Sequence, residues 1–248
     1  MLQIPRVIGH RLLVVADAHL GAAPPSTEDA LLAFLDAVPS LGDSLLLAGD
    51  IYDYWFSYRR LIPRRNFRVT AALTHLARST PVLMIGGNHD RWGDAFWERE
   101  AGIRFHPHEL RFQVGHRHVL AVHGDGLHEE RWGAGVMHRL TSSPLVIGAY
   151  RLLHPDLGFR IADHMGHSLG HGEAHPEVLA AAATRQDKWA EQALARDPDV
   201  DTVIMGHTHR PAAREVSPGQ WYLNPGAWVD GHRYGTLDDR GAELRTFD

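Results

Sequence analysis

The run Leu45-Leu46-Leu47-Ala48-Gly49-Asp50-Ile51-Tyr52-Asp53 constrains this chain more than any other stretch. A short, unbroken apolar segment reads as a strand buried on both faces. Gly49 marks the point where the backbone leaves that strand, so Asp50 is presented on a loop at a strand end, where reactive groups concentrate. Four more stretches share this design. Arg11 to Ala16 runs into Asp17-Ala18-His19, and Pro81 to Ile85 into Gly86-Gly87-Asn88-His89-Asp90. Val119 to Val122 runs into His123-Gly124-Asp125-Gly126, and Thr202 to Met205 into Gly206-His207-Thr208-His209. Asp17 with His19, and His207 with His209, are two apart, so on extended backbone each pair points one way.

Between these strands the signals alternate. Ser26 with Asp29 is a capping-box signal for a helix through about Val38. Phe67 to Ala77 carries apolar positions at helical spacing, and a short helix is expected near Asp94–Glu100. A hairpin is expected around Gly115. The tail from Trp221 to Phe247 alternates like antiparallel strands, broken at Asn224-Pro225-Gly226, a turn that could border the site. Residues 127–175 lack strand signals and are expected to form a helical cap insert within a single domain spanning 1–248. Leu157, Ile161, Met165 and Leu169 form one apolar helical stripe there. Val178 to Ala195 reads as a helix packed on a sheet.

Composition removes several classes of function. With 44% hydrophobic and 22% charged residues, the 248-residue chain is ordinary globular material. A net charge of -5 argues against a nucleic-acid binder that relies on overall positive charge. There is no cysteine, so any metal must be held by nitrogen and oxygen. Histidine, at 19 residues, is the unusual count. No signal peptide is apparent, and the apolar segment Pro144 to Tyr150 is far too short to cross a bilayer. A cytoplasmic location is the expectation, with peripheral inner-membrane contact through an apolar edge of the cap left open, as is the oligomeric state.

Asp17, His19, Asp50, Asn88, His123, His207 and His209 stand at the strand ends. They are too many for one tetrahedral ion but suit two ions sharing a carboxylate, with Asp50 the natural bridge. Paired metals clamp the attacking and leaving oxygens of an in-line displacement at phosphorus and acidify water. Imidazole and carboxylate ligation without sulfur suits Mn²⁺, with Fe or Zn²⁺ as alternatives.

The five ordered stretches resemble the calcineurin-like metallophosphoesterase superfamily. The resemblance implies an α/β fold, a two-sheet β-sandwich flanked by helices, with a dinuclear site at the strand ends. It places one metal on Asp17, His19, Asp50 and His209, and the other on Asp50, Asn88, His123 and His207. His89 matches a non-ligand histidine that contacts the phosphoryl group or protonates the leaving oxygen, and Asp53 matches the acid that orients it. Tyr54-Trp55-Phe56, Gly126 and the insert containing His154-Pro155-Asp156-Leu157-Gly158 resemble the UDP-2,3-diacylglucosamine pyrophosphatases of lipid A biosynthesis. That likeness implies hydrolysis of an acylated sugar nucleotide to UMP and an acylated sugar phosphate. The best-known branch of that family carries arginine where His89 stands, so here the motif reads like that of a general phosphoesterase.

Apolar residues of the insert, among them Trp132, Val136, Leu140, Leu145, Ile147, Tyr150 and Leu152, could line an acyl groove, although most such positions are ordinary helix-packing core. Arg59, Arg60, Arg64 and Arg65 are candidate headgroup contacts, weighed against a solvated charged face. His128 and Trp132 are candidate substrate contacts. The alternatives are a metallophosphoesterase for another nucleotide diphosphate, phosphodiester or phosphomonoester, and a metal-free scaffold of the same fold.

Overall fold

A computed structural model of the chain describes residues 7–58, 60–65, 67–93, 95–126, 143–161 and 176–248. Arg59, His128, Trp132, Val136, Leu140, Met165 and Leu169 lie outside them, as do most of the residues expected to form the cap. The strands are β1 (Val7–Gly9), β2 (Leu12–Val15), β3 (Ser44–Leu47), β4 (Val82–Ile85), β5 (Arg104–His106), β6 (Glu109–Val114) and β7 (Arg117–Val122). They continue with β8 (Thr202–Ile204), β9 (Ala212–Ser217), β10 (Gln220–Asn224), β11 (Arg233–Asp238) and β12 (Gly241–Thr246). The helices are α1 (Pro25–Leu41), α2 (Phe67–Leu76), α3 (Phe96–Arg99), α4 (Pro144–Tyr150) and α5 (Pro176–Arg196). Residues 155–161 are also helical.

Two six-stranded sheets form, in the orders β1-β6-β7-β8-β10-β9 and β12-β11-β2-β3-β4-β5. The second is parallel from β2 through β5, with β11 and β12 added antiparallel. The α/β sandwich flanked by helices is therefore present. Its layers explain why the motif strands are apolar without alternation. Leu12, Val14, Leu46, Leu83 and Ile85 pack between the sheets against Phe112, Val119, Ile204 and Leu223. Their neighbours Leu13, Val15, Leu45, Leu47 and Met84 face Leu31, Phe34 and Val38 of α1 and Val69 and Leu73 of α2. With both faces covered, every position of such a strand is core. Ala190 and Leu194 of α5 cover the outer face of the other sheet at Leu120, Val203, Met205 and Tyr222.

Several expectations change in detail. Helix α1 starts at Pro25, with Pro24 as N-cap and no side-chain capping bond, so the Ser26–Asp29 signal is unused. A proline at the first helical position already sets φ and lacks the donor that a cap would satisfy. The helix near residue 97 is a single turn. The tail mixes orientations, since β10 pairs antiparallel with β9 but parallel with β8. Three-residue strands β1 and β5 and the polar edge strand β9 were not foreseen. Among the described residues no helix is long and apolar enough to cross a membrane.

The sheets bring the motif stretches to one place. β2, β3 and β4 are adjacent and parallel in one sheet, while β7 and β8 are adjacent and parallel in the other. Their C-terminal ends therefore meet at the same end of the sandwich.

Candidate metal centre

Backbone geometry marks the site first. Six non-glycine residues among those described have positive φ, and five are Asp17 (53°), His19 (46°), Asp50 (53°), His207 (72°) and His209 (56°). Left-handed backbone at a side-chain-bearing residue costs roughly 1–3 kcal/mol and persists only where its surroundings enforce it. Here the enforcement is visible. Asp17 N–H donates to the Gly49 carbonyl and His19 N–H to the Asp50 carbonyl, both at 3.0 Å, extending the β2–β3 ladder past the strand ends. Across the sandwich, His207 N–H donates to the Asp17 carboxylate at 3.0 Å.

Three groups of candidate ligands result among the described residues: His19 with Asp53 and His89, and two clusters that gather the other strand-end residues. Asp17, His19 and His209 each bring a ligand atom within 4.8 Å of the others, and so do Asp50, His123 and His207. Asn88 lies exposed in the turn after β4, beside His89, whose N–H donates to Asp50 Oδ1 at 2.9 Å. A side chain at Gly49, where φ is 93°, would meet the His123 ring at 2.3 Å, so only glycine lets that imidazole come so close.

Donor chemistry fits cations at both clusters. His123 Nδ1 gives its proton to the Ala48 carbonyl at 2.8 Å, which aims Nε2 into the site. That Nε2 is buried without a hydrogen-bond partner, and Asp50 Oδ2 lies 3.1 Å away without hydrogen-bond alignment. In the first cluster the Nε2 atoms of His19 and His209 face each other at 3.2 Å. An imidazole fixed through one nitrogen by a carbonyl or carboxylate is the usual state of a metal-ligating histidine. His209 shows the carboxylate version, with Asp230 Oδ2 3.3 Å from its Nδ1.

Electrostatics point the same way. Burial lowers His19 to about 3 against the pull of Asp50, and lowers His207 to about 4 with His123 adding to the effect. Both rings therefore offer neutral lone pairs at neutral pH. Burial raises Asp17 to about 8, with the Asp50 charge adding to it. Burial alone would lower His123, but the Asp50 and Asp17 carboxylates lift it to about 10. At neutral pH the site thus favours a proton on Asp17, which neutralises that carboxyl, and one on His123, whose charge answers Asp50.

Residues that sequence reasoning did not single out hold this arrangement. The buried Asp90 carboxylate accepts the N–H groups of Ile51 and Gly87, both at 2.8 Å, and of Asp50 and Tyr52, both at 3.3 Å. It thereby ties the loop after β3 to the loop after β4. Arg91 forms a buried ion pair with Asp125 and donates to the Gly87 carbonyl at 3.1 Å, joining the two sheets. Asp90 and Asp125 stand inside the motifs, so their positions could have flagged them, whereas Asp230 carried no local signal.

The expected His89–Asp53 pairing takes a different form. His89 Nδ1 is 2.7 Å from the Asp53 backbone carbonyl and 3.7 Å from its carboxylate, so the main chain is the direct partner. The tight turn after Gly49 brings that carbonyl closer than the side chain. Burial would lower His89, but Asp50, the Asp53 contact and Asp90 raise it above the ordinary histidine value. Its ring packs edge-on against His19, with centroids 5.1 Å apart. Arg60, Arg64 and Arg65 are exposed on the segment before α2, while Arg68 pairs with Asp29 of α1 at 2.8 Å.

Aromatic residues of the loops after β3 and β4 meet the segment 143–161. Tyr150 of α4 packs on Phe56 and Trp92, and Phe159 packs edge-on to Tyr54. Leu145 and Leu152 stand 85% and 88% exposed, beyond what ordinary helix packing would leave.

The family model for calcineurin-like phosphoesterases matches residues 10–211. A protein of Porphyromonas gingivalis named UDP-2,3-diacylglucosamine hydrolase is 26% identical over 246 residues, covering 92% of this chain and 94% of its own. One of the same name from Bordetella parapertussis is 25% identical, covering 83% and 80%. Among solved structures, the Escherichia coli phosphoesterase Yfce covers 96% of this chain and 100% of its own, at 13% identity and a TM-score of 0.45. Vacuolar protein sorting 29 of Cryptosporidium parvum covers 95% of each chain, at 14% identity and a TM-score of 0.46. The chain belongs to the calcineurin-like phosphoesterase family and is a metal-dependent hydrolase of phosphoric esters.

Proposed function

We propose that the chain hydrolyses the pyrophosphate bond of UDP-2,3-diacylglucosamine, releasing UMP and 2,3-diacylglucosamine 1-phosphate, with two divalent cations, manganese first among them. The observation that carries the hydrolytic part is the pair of adjoining clusters, Asp17–His19–His209 and Asp50–His123–His207, each converging within 4.8 Å. The acyl-sugar part is supported by the names of relatives that match across most of their length, and by the exposed Leu145 on α4 and Leu152 just after it.

Asp17, His19 and His209 would hold one cation, and His123, His207 and Asn88 the other, with Asp50 reaching both. Such a pair supplies acidified water and charge for the oxygens around phosphorus. Asp50 is pre-set for its role. Its Oδ1 is anchored by the His89 N–H, and its ionised form is favoured by His123 and His89 despite burial. His89 is held through Nδ1 and keeps its proton to a higher pH than a free histidine. It can therefore donate to the departing oxygen, in keeping with general acid catalysis. Exposed Arg60, Arg64 and Arg65 carry charge for a phosphate or headgroup. With Leu61, Ile62 and Phe67 exposed nearby in sequence, they suit contact with an anionic bilayer surface.

Manganese-loaded protein should release UMP from UDP-2,3-diacylglucosamine far faster than from UDP-glucose, which lacks the acyl chains. Equal rates on both, or activity only on simple phosphodiesters, would favour the second reading, a phosphoesterase for another substrate. The histidine at position 89 is the feature that favours this second reading.

A further inference from the structure

We infer that Gln186 is a positioning residue for the His207–His209 loop, acting as a buried amide clamp from α5. This inference rests on the proposed cation-binding role of that loop. Gln186, Thr208 and Asn224 are 3%, 2% and 0% exposed, so every polar atom among them must find a partner inside the protein. Gln186 Nε2 donates to the Gly206 carbonyl at 3.1 Å, while its Oε1 accepts from Thr208 Oγ1 at 3.0 Å. Asn224 Nδ2 donates to the same Gly206 carbonyl at 3.0 Å, and Asn224 Oδ1 accepts from Gly226 N–H at 2.9 Å. Thr208 N–H closes on that carbonyl too, at 2.9 Å.

One carbonyl therefore receives three donors, directly beneath a loop that holds both histidines in left-handed backbone. The clamp reaches the second histidine-bearing strand end as well. Gly206 N–H donates to the His123 carbonyl at 3.0 Å. A Cβ at Gly124, whose φ is 111°, would lie 2.2 Å from Gln186 Nε2, so the residue after His123 is glycine where this amide passes. A glutamine is suited to this place because it offers one donor and one acceptor without charge. Glutamate would set an acceptor against the Gly206 carbonyl, and an apolar side chain would leave the Thr208 hydroxyl proton without its acceptor and that carbonyl with two donors in place of three. The asparagine-proline-glycine turn after β10 and the helix α5, far apart in sequence, thus share one task.

The test is Mn²⁺ titration of Gln186→Met and Thr208→Val by calorimetry, with folding followed by circular dichroism. Orienting groups behind metal ligands are worth about 10–100-fold in metal affinity. Both variants should remain folded and bind Mn²⁺ about that much more weakly. At low Mn²⁺ their turnover should fall, and saturating Mn²⁺ should restore kcat with KM unchanged. The double variant should lose no more than the worse single one, because the two groups act as a unit. Wild-type affinity in both folded variants, with only the melting temperature lowered, would overturn the clamp while leaving the proposed function intact. Should Gln186→Met fail to fold, Thr208→Val decides by the same readout. A wild-type protein that takes up no Mn²⁺ would overturn the proposed function itself, and the clamp with it.

Discussion

Protons and cations compete for the same atoms in this site, and the competition can be counted. Each cluster contains one group held protonated: Asp17, which burial raises to about 8, and His123, which the neighbouring carboxylates raise to about 10 against burial. At pH 7 both groups therefore keep most of their protons. His19 at about 3 and His207 at about 4 carry almost none, and Asp50 is ionised. Ligands must be deprotonated to bind, so loading both clusters should release about two protons, one per cation. The sign follows. Both groups lose protons on binding, so the overall affinity should rise with pH, by about a hundredfold from pH 6 to pH 7. It should rise only about tenfold per unit between the Asp17 and His123 values, and level off above them. Calorimetric Mn²⁺ titrations in HEPES and in Tris at one pH give the proton count from the difference in buffer heats. Heats independent of the buffer, or an affinity flat between pH 6 and 7, would refute the reasoning.

Other outcomes follow from individual contacts. Asp53→Asn keeps the carbonyl that holds His89 and should cost less than about tenfold in kcat, whereas His89→Gln should cost about 10²–10⁴ without metal loss; equal losses would place the orienting role on the carboxylate. Asp230→Asn should weaken Mn²⁺ binding by about tenfold through His209, and an unchanged titration would dismiss that contact. Arg91→Leu strands Asp125 in a buried setting and should destabilise the fold by about 3–5 kcal/mol in urea unfolding; a loss below 1 kcal/mol would mean that the pair is solvated. At a fixed, limiting Mn²⁺ concentration the rate should fall as pH rises past the elevated His89 value and also fall at low pH as metal is lost, giving a bell-shaped profile. A profile still rising at high pH would remove His89 as the acid.

The site was legible because its chemistry is written at strand ends. Leu45 to Leu47 had to be a strand covered on both faces, and the residue after Gly49 then had to emerge where β2 and β4 emerge. Asp17, His19, Asp50, His123, His207 and His209 could be gathered on that ground alone. Gln186 could not. It sits in an Ala-rich helix among Arg185 and Asp187, where a polar residue reads as solvent-facing until packing shows otherwise. Asp230 was hidden for a similar reason, since its partner His209 lies twenty-one residues earlier and no periodicity links them. Asp53 meets His89 through its carbonyl at 2.7 Å as well as its carboxylate at 3.7 Å, a distinction that spacing cannot make in a tight turn. The edge strands β1 and β5 are three residues long, too short for a period-two pattern to register.

The central claim is that Asp50 makes one site out of two clusters. Metal counting by plasma mass spectrometry on folded, Mn²⁺-dialysed protein tests it most directly when the wild type is compared with Asp50→Ala. Two ions per wild-type chain, with loading and turnover lost together in the variant, is the predicted result. A variant that still holds two ions, or a wild type that never holds more than one, would contradict it.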